Sequence, residues 1–118
     1  AAAAFRSNLV QAGLWDRVAI MTYSEFGRRV EENASNGTDH GTAAPVFILG
    51  GRVKGGFYGT EPSLAPADLD QGDVKYTLDF RALYRTVVEE FWGIKDADVL
   101  AAVFPTAPET LPLFKPSK

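Results

Sequence analysis

The sequence contains no cysteine, one histidine and one methionine. Without cysteine the chain can form no disulfide and no thiolate metal site. Its apolar runs are short, and none approaches the roughly 18 residues that a membrane-spanning helix requires. The sequence therefore predicts no membrane span.

An excess of positive charge is also absent. The chain has 12 Lys and Arg against 15 Asp and Glu, for a net charge of −3, and its basic residues form no stripe. We therefore expect no nucleic-acid partner, because nucleic-acid-binding proteins concentrate positive charge on one face. The 118 residues are 46% hydrophobic, which is enough for one globular domain with a core.

The chain begins with Ala1 to Ala4, without an initiator methionine, and runs directly into a helical pattern. We interpret this start as an artificial boundary within a longer domain. A cut of this kind leaves strand edges and helix faces uncovered. We therefore expect the chain to pack against the missing N-terminal portion of the same domain or against another copy.

Two short apolar runs predict buried strands. A helix comes first, from about residue 2 to residue 12, and Gly13 is well placed to end it in a left-handed conformation. The runs at 17–23 and 45–49 are nearly all apolar, as strands buried on both faces of a parallel sheet are. This order indicates an α/β fold with helices on the faces of a mostly parallel sheet.

Long polar segments separate these elements. Residues 24–44 are polar and glycine-rich, and they are predicted to form a loop of about 20 residues, a length that is usually functional or disordered in compact domains. Glycines throughout 50–59 predict tight turns, with a small hairpin around Val53 and Phe57. Residues 60–76 contain two prolines and are predicted to be a surface loop.

An amphipathic helix follows. Its apolar residues recur at intervals of three and four, which predicts one buried face. Asp79 suits the start of this helix and Gly93 its end. A short helix at 96–103 and an extended, proline-rich tail at 105–118 are predicted next. We therefore divide the chain into part of one domain, residues 1–104, and this tail. The predicted buried face comprises Phe80, Leu83, Tyr84, Val87, Val88 and Phe91.

The segment after the first strand contains the residues that could carry chemistry. Ligands of α/β sheets bind outside the carboxyl ends of the strands, and residues 23–42 leave the first strand at that end. His40 lies there between glycines and directly after Asp39. A carboxylate beside an imidazole can bind a divalent metal ion or act as a general base with its orienting group. The alternative is that His40 only ties a surface loop.

Glu25, Arg28 and Arg29 form a second set of candidates. Glu25 lies just past the strand, where a carboxylate would project into a crevice. The alternative for Glu25 is a solvated side chain or a salt bridge to one of the two arginines. Either arginine can bind a phosphate or sulfate oxyanion through its forked guanidinium.

The trio Asp79-Phe80-Arg81 is interpreted as structural. Asp79 is expected near the helix start, Phe80 in the core, and Arg81 exposed or bonded to a nearby loop. In the long polar segment 24–44, the adjacent residues Glu31 and Glu32 are expected to lie on a solvated face.

Several motifs occur together at spacings typical of one family. They are Thr22-Tyr23-Ser24-Glu25-Phe26-Gly27-Arg28-Arg29, Glu32-Asn33, Gly37-Thr38-Asp39-His40-Gly41-Thr42, Leu49-Gly50-Gly51, Val53-Lys54-Gly55-Gly56 with Gly59, and Asp79-Phe80-Arg81. Over residues 5–95 or so, the chain resembles the C-terminal portion of the domain-of-unknown-function family numbered 1501. The combination is much more specific than any single motif.

The resemblance implies a bacterial, exported, periplasmic protein of the alkaline-phosphatase and sulfatase clan. Proteins of this clan have a mostly parallel sheet and one or two metal ions, which polarise a phosphate or sulfate ester while a Ser or Thr attacks. By this resemblance Glu25 and His40, with Asp39, are metal ligands for Zn, Mn or Ca. The clan often has Asp-His where this chain has Glu25-Phe26, so one ligand is lost or the site holds a single metal ion. The clan's nucleophile and other ligands are expected upstream of this chain.

Three functional hypotheses follow. The first is a portion of a metal-dependent hydrolase of phosphate or sulfate esters. The alternative is a non-catalytic exported structural or assembly subunit that keeps the fold, with the proline-rich tail lying along a partner. The third is an anion-binding module that uses Arg28 and Arg29.

Overall fold

The computed structural model describes residues 1–106 and 108–116 as a mixture of helices and strands. This content confirms the predicted α/β class at the level of mixed secondary structure. The helices are α1 (Ala2–Gln11), α2 (Phe80–Thr86), a π-helix (Val87–Phe91) and α3 (Ala97–Val103), and 3-10 turns lie at Trp15–Arg17 and Pro66–Asp68. The strands are β1 (Ala19–Met21), β2 (Gly27–Glu32), β3 (Thr38–Gly41) and β4 (Ile48–Gly50).

Local sequence signals set the ends of the helices. Gly13, with a φ of +67°, follows α1, and Gly93, with a φ of +74°, follows the π-helix. The carboxylate of Asp96 accepts hydrogen bonds from the backbone N–H groups of Asp98 and Val99, which caps α3. These predicted helix ends are confirmed, because each depends only on neighbours in the chain.

β1 and β4 pair with each other in antiparallel register, with Ile20 opposite Leu49. The prediction of two strands is confirmed, but the predicted parallel direction is wrong. Parallel strands need a crossover connection, which is usually a helix, and no helix lies between β1 and β4. Within residues 1–106 and 108–116 this sheet has no third strand.

Residues 24–44, predicted to be a loop, instead contain an antiparallel hairpin formed by β2 and β3. Its turn is built on Asn33, whose side-chain oxygen accepts hydrogen bonds from the N–H groups of Ser35 and Gly37 at 3.0 and 3.1 Å. Asn36 has a φ of +57°, as asparagine before glycine often has in tight connections. The strands were missed because they are mostly polar and lack the alternation of a half-buried sheet.

Two glycines allow the hairpin backbone to close. Gly27 lies opposite Gly41 in the strand register. A Cβ atom on Gly27 would lie 1.7 Å from the carbonyl oxygen of Ala43, and one on Gly41 would lie 2.9 Å from the carbonyl carbon of Arg28. Only glycine permits such a close approach of two backbones. The chain after β3 therefore folds tightly over the start of β2.

The core forms around Leu83, Leu113 and Phe114. The tail, segment 108–116, thus supplies two of these three central residues. The partly buried side chains that pack against them are Ala19, Met21, Ile48, Val53, Tyr58, Val87, Phe91 and Leu111.

The tail pairs with a segment far away in the chain. Val53 forms an antiparallel bridge with Phe114, and the N–H of Lys54 donates to the carbonyl oxygen of Leu113 at 2.8 Å. The predicted hairpin around Val53 and Phe57 is therefore wrong. Phe57 is fully exposed.

The predicted buried face is confirmed in part, because Leu83 is buried and Val87 and Phe91 pack against it. Ala82, Leu83 and Thr86 are buried, whereas Phe80 is 61% exposed, so the prediction that Phe80 lies in the core is wrong. The π-helix that continues α2 has a wider turn, which changes the spacing at which side chains align. Thr86 can enter the core because its hydroxyl donates to the carbonyl oxygen of Ala82 at 2.6 Å and accepts from the N–H of Leu111 at 2.8 Å.

The molecule is extended for its length. Its radius of gyration is 17.3 Å and its extents are 50 × 39 × 21 Å, whereas a compact domain of this size has a radius of gyration of about 13.5 Å. No helix among the described residues is both long and apolar enough to cross a membrane.

Candidate functional site

One face of the β2–β3 hairpin carries Arg28 and His40 together. The strand register places Arg28 directly opposite His40. Directly opposite residues of an antiparallel pair point to the same face, with Cβ atoms about 4.5–5.5 Å apart. The hairpin therefore brings together two candidate residues that the sequence places in separate motifs.

His40 is held by an aromatic stack. The ring centroids of Phe26 and His40 lie 3.5 Å apart, and the ring planes are 11° from parallel. His40 is nevertheless exposed. Neither of its ring nitrogens has a hydrogen-bond partner among residues 1–106 and 108–116. The stack thus fixes the imidazole plane and leaves its nitrogens able to bind a ligand.

Arg28 is oriented by two contacts. Its Nη1 donates a hydrogen bond to the carbonyl oxygen of Thr38 at 2.6 Å. Its guanidinium carbon lies 4.9 Å from the centre of the Phe26 ring, within range of a cation–π interaction. In the part of the chain that the structure describes, no carboxylate forms an ion pair with Arg28.

The three predicted metal ligands are not gathered into one group. Asp39 adjoins His40 in β3, so its side chain lies on the opposite face, where it accepts a hydrogen bond from Nδ2 of Asn33 at 2.9 Å. Glu25 is exposed and forms no ion pair with any described residue. No cluster of three His, Cys, Asp or Glu residues that could hold a metal ion occurs in 1–106 and 108–116. These residues alone therefore do not fit a complete metal site.

Arg29 already has an anionic partner. Its Nε donates to Oδ1 of Asp73 at 2.8 Å, and Oδ2 of Asp73 accepts a hydrogen bond from the hydroxyl of Thr42 at 3.3 Å. Gly72, with a φ of +93°, lets this guanidinium lie against the turn that ends at Asp73, since a Cβ there would be 3.3 Å from Nη1. Arg29 therefore ties the hairpin to the turn before Val74.

Sequence reasoning missed both Phe26 and Asp73. Phe26 had a usable signal, since it precedes Arg28 by two residues and so shares its side of an extended strand. The loop prediction for this segment obscured that signal. Asp73 had none, because it lies 44 residues from Arg29 and a loop carboxylate alone indicates no partner.

The trio Asp79-Phe80-Arg81 forms a helix cap. The carboxylate of Asp79 accepts a hydrogen bond from the backbone N–H of Arg81 at 2.9 Å, and the guanidinium of Arg81 bonds both carboxylate oxygens at 2.6 to 3.1 Å. The side-chain hydrogen bonds from Arg81 lower the pKa of Asp79 below its ordinary value. Arg81 also donates to the hydroxyl of Thr106 at 2.7 Å, as predicted for a bond to a nearby loop.

Comparison with known families covers most of the chain. The family model described as "Protein of unknown function (DUF1501)" matches residues 1–104. The chain belongs to the DUF1501 family. No curated protein and no solved structure matches it. The DUF1501 match includes the whole hairpin with Arg28 and His40, and it ends before the tail that supplies Leu113 and Phe114 to the core.

Proposed function

We propose that this DUF1501 chain is part of a metal-dependent hydrolase of phosphate or sulfate esters. The observation that carries the proposal is the stack of Phe26 on His40. The stack fixes the imidazole while both ring nitrogens stay unbonded among the described residues. A histidine oriented in advance is suited to bind a ligand, because it loses little side-chain freedom when the ligand arrives.

Glu25 is the second proposed ligand, because it is the chain neighbour of Phe26, whose ring lies on His40. Imidazole nitrogen and carboxylate oxygen are common ligands of Zn and Mn, and Ca prefers oxygen. Asp39, on the other face of β3, is the least suited of the three predicted ligands. The proposal requires further ligands and the Ser or Thr nucleophile from outside this chain.

The larger architecture is also part of the proposal. An alkaline-phosphatase-like, mostly parallel sheet and export to the periplasm are expected from the family resemblance. In support of a larger sheet, the two-stranded β1–β4 sheet is marginally stable alone. Its face away from the core carries Ile20 and Leu49, which are apolar as in strands covered on both sides.

Metal content tests the proposal. Elemental mass spectrometry on the intact protein, which includes the ligands expected from outside this chain, should show bound metal in the wild type after loading with Zn, Mn or Ca. It should show less metal in His40→Ala and Glu25→Gln. Glu31→Gln removes the same charge from an exposed position of β2 and should retain the wild-type content. Absence of metal from the wild type, or equal metal in all four proteins, would contradict the proposal.

A second candidate function is that of a non-catalytic structural or assembly subunit. It is favoured by large apolar side chains that remain exposed, among them Phe47, Phe57 and Trp92. Exposed apolar side chains mark contact sites for other proteins where they form one contiguous patch. This function predicts association with another copy in sedimentation velocity and no metal binding. A monodisperse monomer at high concentration would count against it.

A further inference from the structure

The exposed face of the β2–β3 hairpin carries two side chains that can donate hydrogen bonds to a single ligand. Arg28 and His40 are both exposed and lie directly opposite each other. A guanidinium has five N–H donors in a planar fork, and one donor of Arg28 is bonded to Thr38. A neutral imidazole carries one N–H in either tautomer. Most donors on this face are therefore still able to bind.

We propose that Arg28 and His40 together bind the oxyanion of a phosphate or sulfate group through direct hydrogen bonds. Such groups accept several hydrogen bonds at once, and the forked guanidinium of arginine matches their geometry. The inference rests on the proposed function in one respect, namely that the bound anion is the phosphate or sulfate group of an ester substrate. It does not depend on a metal ion.

Phe26 orients both donors before the anion arrives. Its ring stacks on the imidazole of His40 with centroids 3.5 Å apart, and it lies 4.9 Å from the guanidinium carbon of Arg28. The hydrogen bond from Arg28 to Thr38 fixes the guanidinium further. Side chains held in this way lose less conformational freedom on binding, which favours affinity.

The structure separates the roles of the two adjacent arginines. Arg28 is exposed opposite His40, whereas Arg29 is half-buried against the turn at Asp73. Arg29 is paired with Asp73 at 2.8 Å, so it would have to give up that carboxylate to bind another anion. Anion binding is therefore assigned to Arg28, and Arg29 is assigned to holding the hairpin on the turn at Asp73.

The acidic residues of the hairpin leave this face accessible to an anion. The carboxylate of Asp39 lies on the other face, bonded to Asn33. Glu32 lies opposite Thr38 and so shares the face of His40, but it forms no ion pair with Arg28 among the described residues. Their negative charge limits affinity at low salt but does not occupy the donors.

An NMR titration tests the site. The full chain, in the presence of a chelator, would be titrated separately with inorganic phosphate and inorganic sulfate while backbone amide shifts are recorded. We expect saturable shifts centred on β2 and β3 for at least one of the two anions. Arg28→Gln should weaken binding about tenfold or more, because it removes the charged donor. Arg17→Gln makes the same charge change at another exposed arginine and should stay within about twofold of the wild type.

His40→Phe separates hydrogen bonding from stacking. The new ring can still lie on Phe26, but it has no N–H, so binding should weaken while the amide spectrum of the hairpin keeps its dispersion. Three results would overturn the inference: equal affinity in the wild type, Arg28→Gln and His40→Phe; saturable shifts centred away from the hairpin; or no saturable shift with either anion.

The chelator distinguishes this inference from the proposed function. Binding that persists in chelator and falls in Arg28→Gln supports direct recognition, whatever the metal content of the protein. Binding that appears only after a metal ion is added would overturn the direct site, and it would leave the metal-dependent hydrolase standing.

Discussion

Arg52 donates a hydrogen bond from Nη1 to the backbone carbonyl oxygen of Phe91 at 3.2 Å, and its guanidinium carbon lies 5.2 Å from the centre of the Phe91 ring. Its other nitrogens donate to the carbonyl oxygens of Glu90 at 2.9 Å and Lys115 at 3.1 Å. The last carbonyls of a helix have no partner within the helix. One side chain therefore caps the π-helix and joins it to the tail.

Arg52→Lys is expected to destabilise the protein by about 1 kcal/mol, because an ammonium cannot reproduce this forked donation and water must replace it at carbonyl oxygens that are mostly exposed. Urea unfolding followed by tryptophan fluorescence measures the loss. Arg17→Lys, at an exposed arginine, should stay within about 0.5 kcal/mol of the wild type. An equal loss of unfolding free energy in the two variants would show that the hydrogen bonds of Arg52 do not stabilise the protein.

The Asp79–Arg81 pair predicts a pH dependence in acid. Hydrogen bonds from Arg81 lower the folded-state pKa of Asp79 below the value of 3.8 for the unpaired group. The unfolded state therefore takes up the proton more readily than the folded state. The stabilisation is complete above pH 3.8, and it is lost as the pH falls through the lower, folded-state pKa.

Asp79→Asn isolates this contribution, since asparagine still caps a helix well but carries no charge. The melting temperature of the wild type should exceed that of the variant at neutral pH, and the difference should shrink as the pH falls below 3.8. Thermal unfolding followed by circular dichroism at several pH values provides the measurement. A difference that stays constant into strong acid would show that the lowered pKa contributes nothing.

Features that depend on neighbouring residues could be predicted from the sequence. Gly13 and Gly93 end helices through their own positive φ, and Asp96 caps α3 through the two residues that follow its first helical position. The short apolar runs that became β1 and β4 were also recognisable. In each case, a few consecutive residues contain the physical cause.

Features that depend on distant residues were predicted wrongly or missed. Val53 pairs with Phe114, and Arg29 with Asp73, and no local pattern indicates either partner. Phe80 satisfies the apolar periodicity of α2, yet it is exposed, whereas Thr86 is buried because its hydroxyl is hydrogen-bonded to Ala82 and Leu111. The site was equally hard to predict, because the proximity of Arg28 to His40 becomes visible only once the register of β2 and β3 is known.

Because the backbone passes so close to Gly27, adding a single methyl group there is expected to destabilise the protein strongly. In Gly27→Ala the new Cβ would lie 1.7 Å from the carbonyl oxygen of Ala43, so the hairpin must shift. We expect a loss of about 3 kcal/mol and altered amide shifts throughout β2 and β3. Gly37→Ala is the matched control, since its Cβ meets only a side-chain oxygen of Asn33 at 3.8 Å. Equal stability of the two variants, measured in urea, would contradict the crossing.

The tail beyond the DUF1501 match is expected to be essential for folding. Leu113 is 3% exposed and packs with Leu83 and Phe114, so Leu113→Ala should cost about 2–5 kcal/mol through lost burial and the cavity left behind. Leu64→Ala, at an exposed position, should change stability by less than about 0.5 kcal/mol. Urea unfolding of both variants measures the difference.

Truncation after residue 104 sharpens this test of the tail. The shortened chain lacks Leu113 and Phe114. It also lacks the carbonyl oxygens of Lys115 and Leu113, which accept hydrogen bonds from the side chain of Arg52 and the N–H of Lys54. Residues 1–104 alone should therefore give no cooperative urea transition, although they include the whole family match. A truncated chain that unfolds with the midpoint of the full chain would show that the tail is an appendage and that the core is held elsewhere.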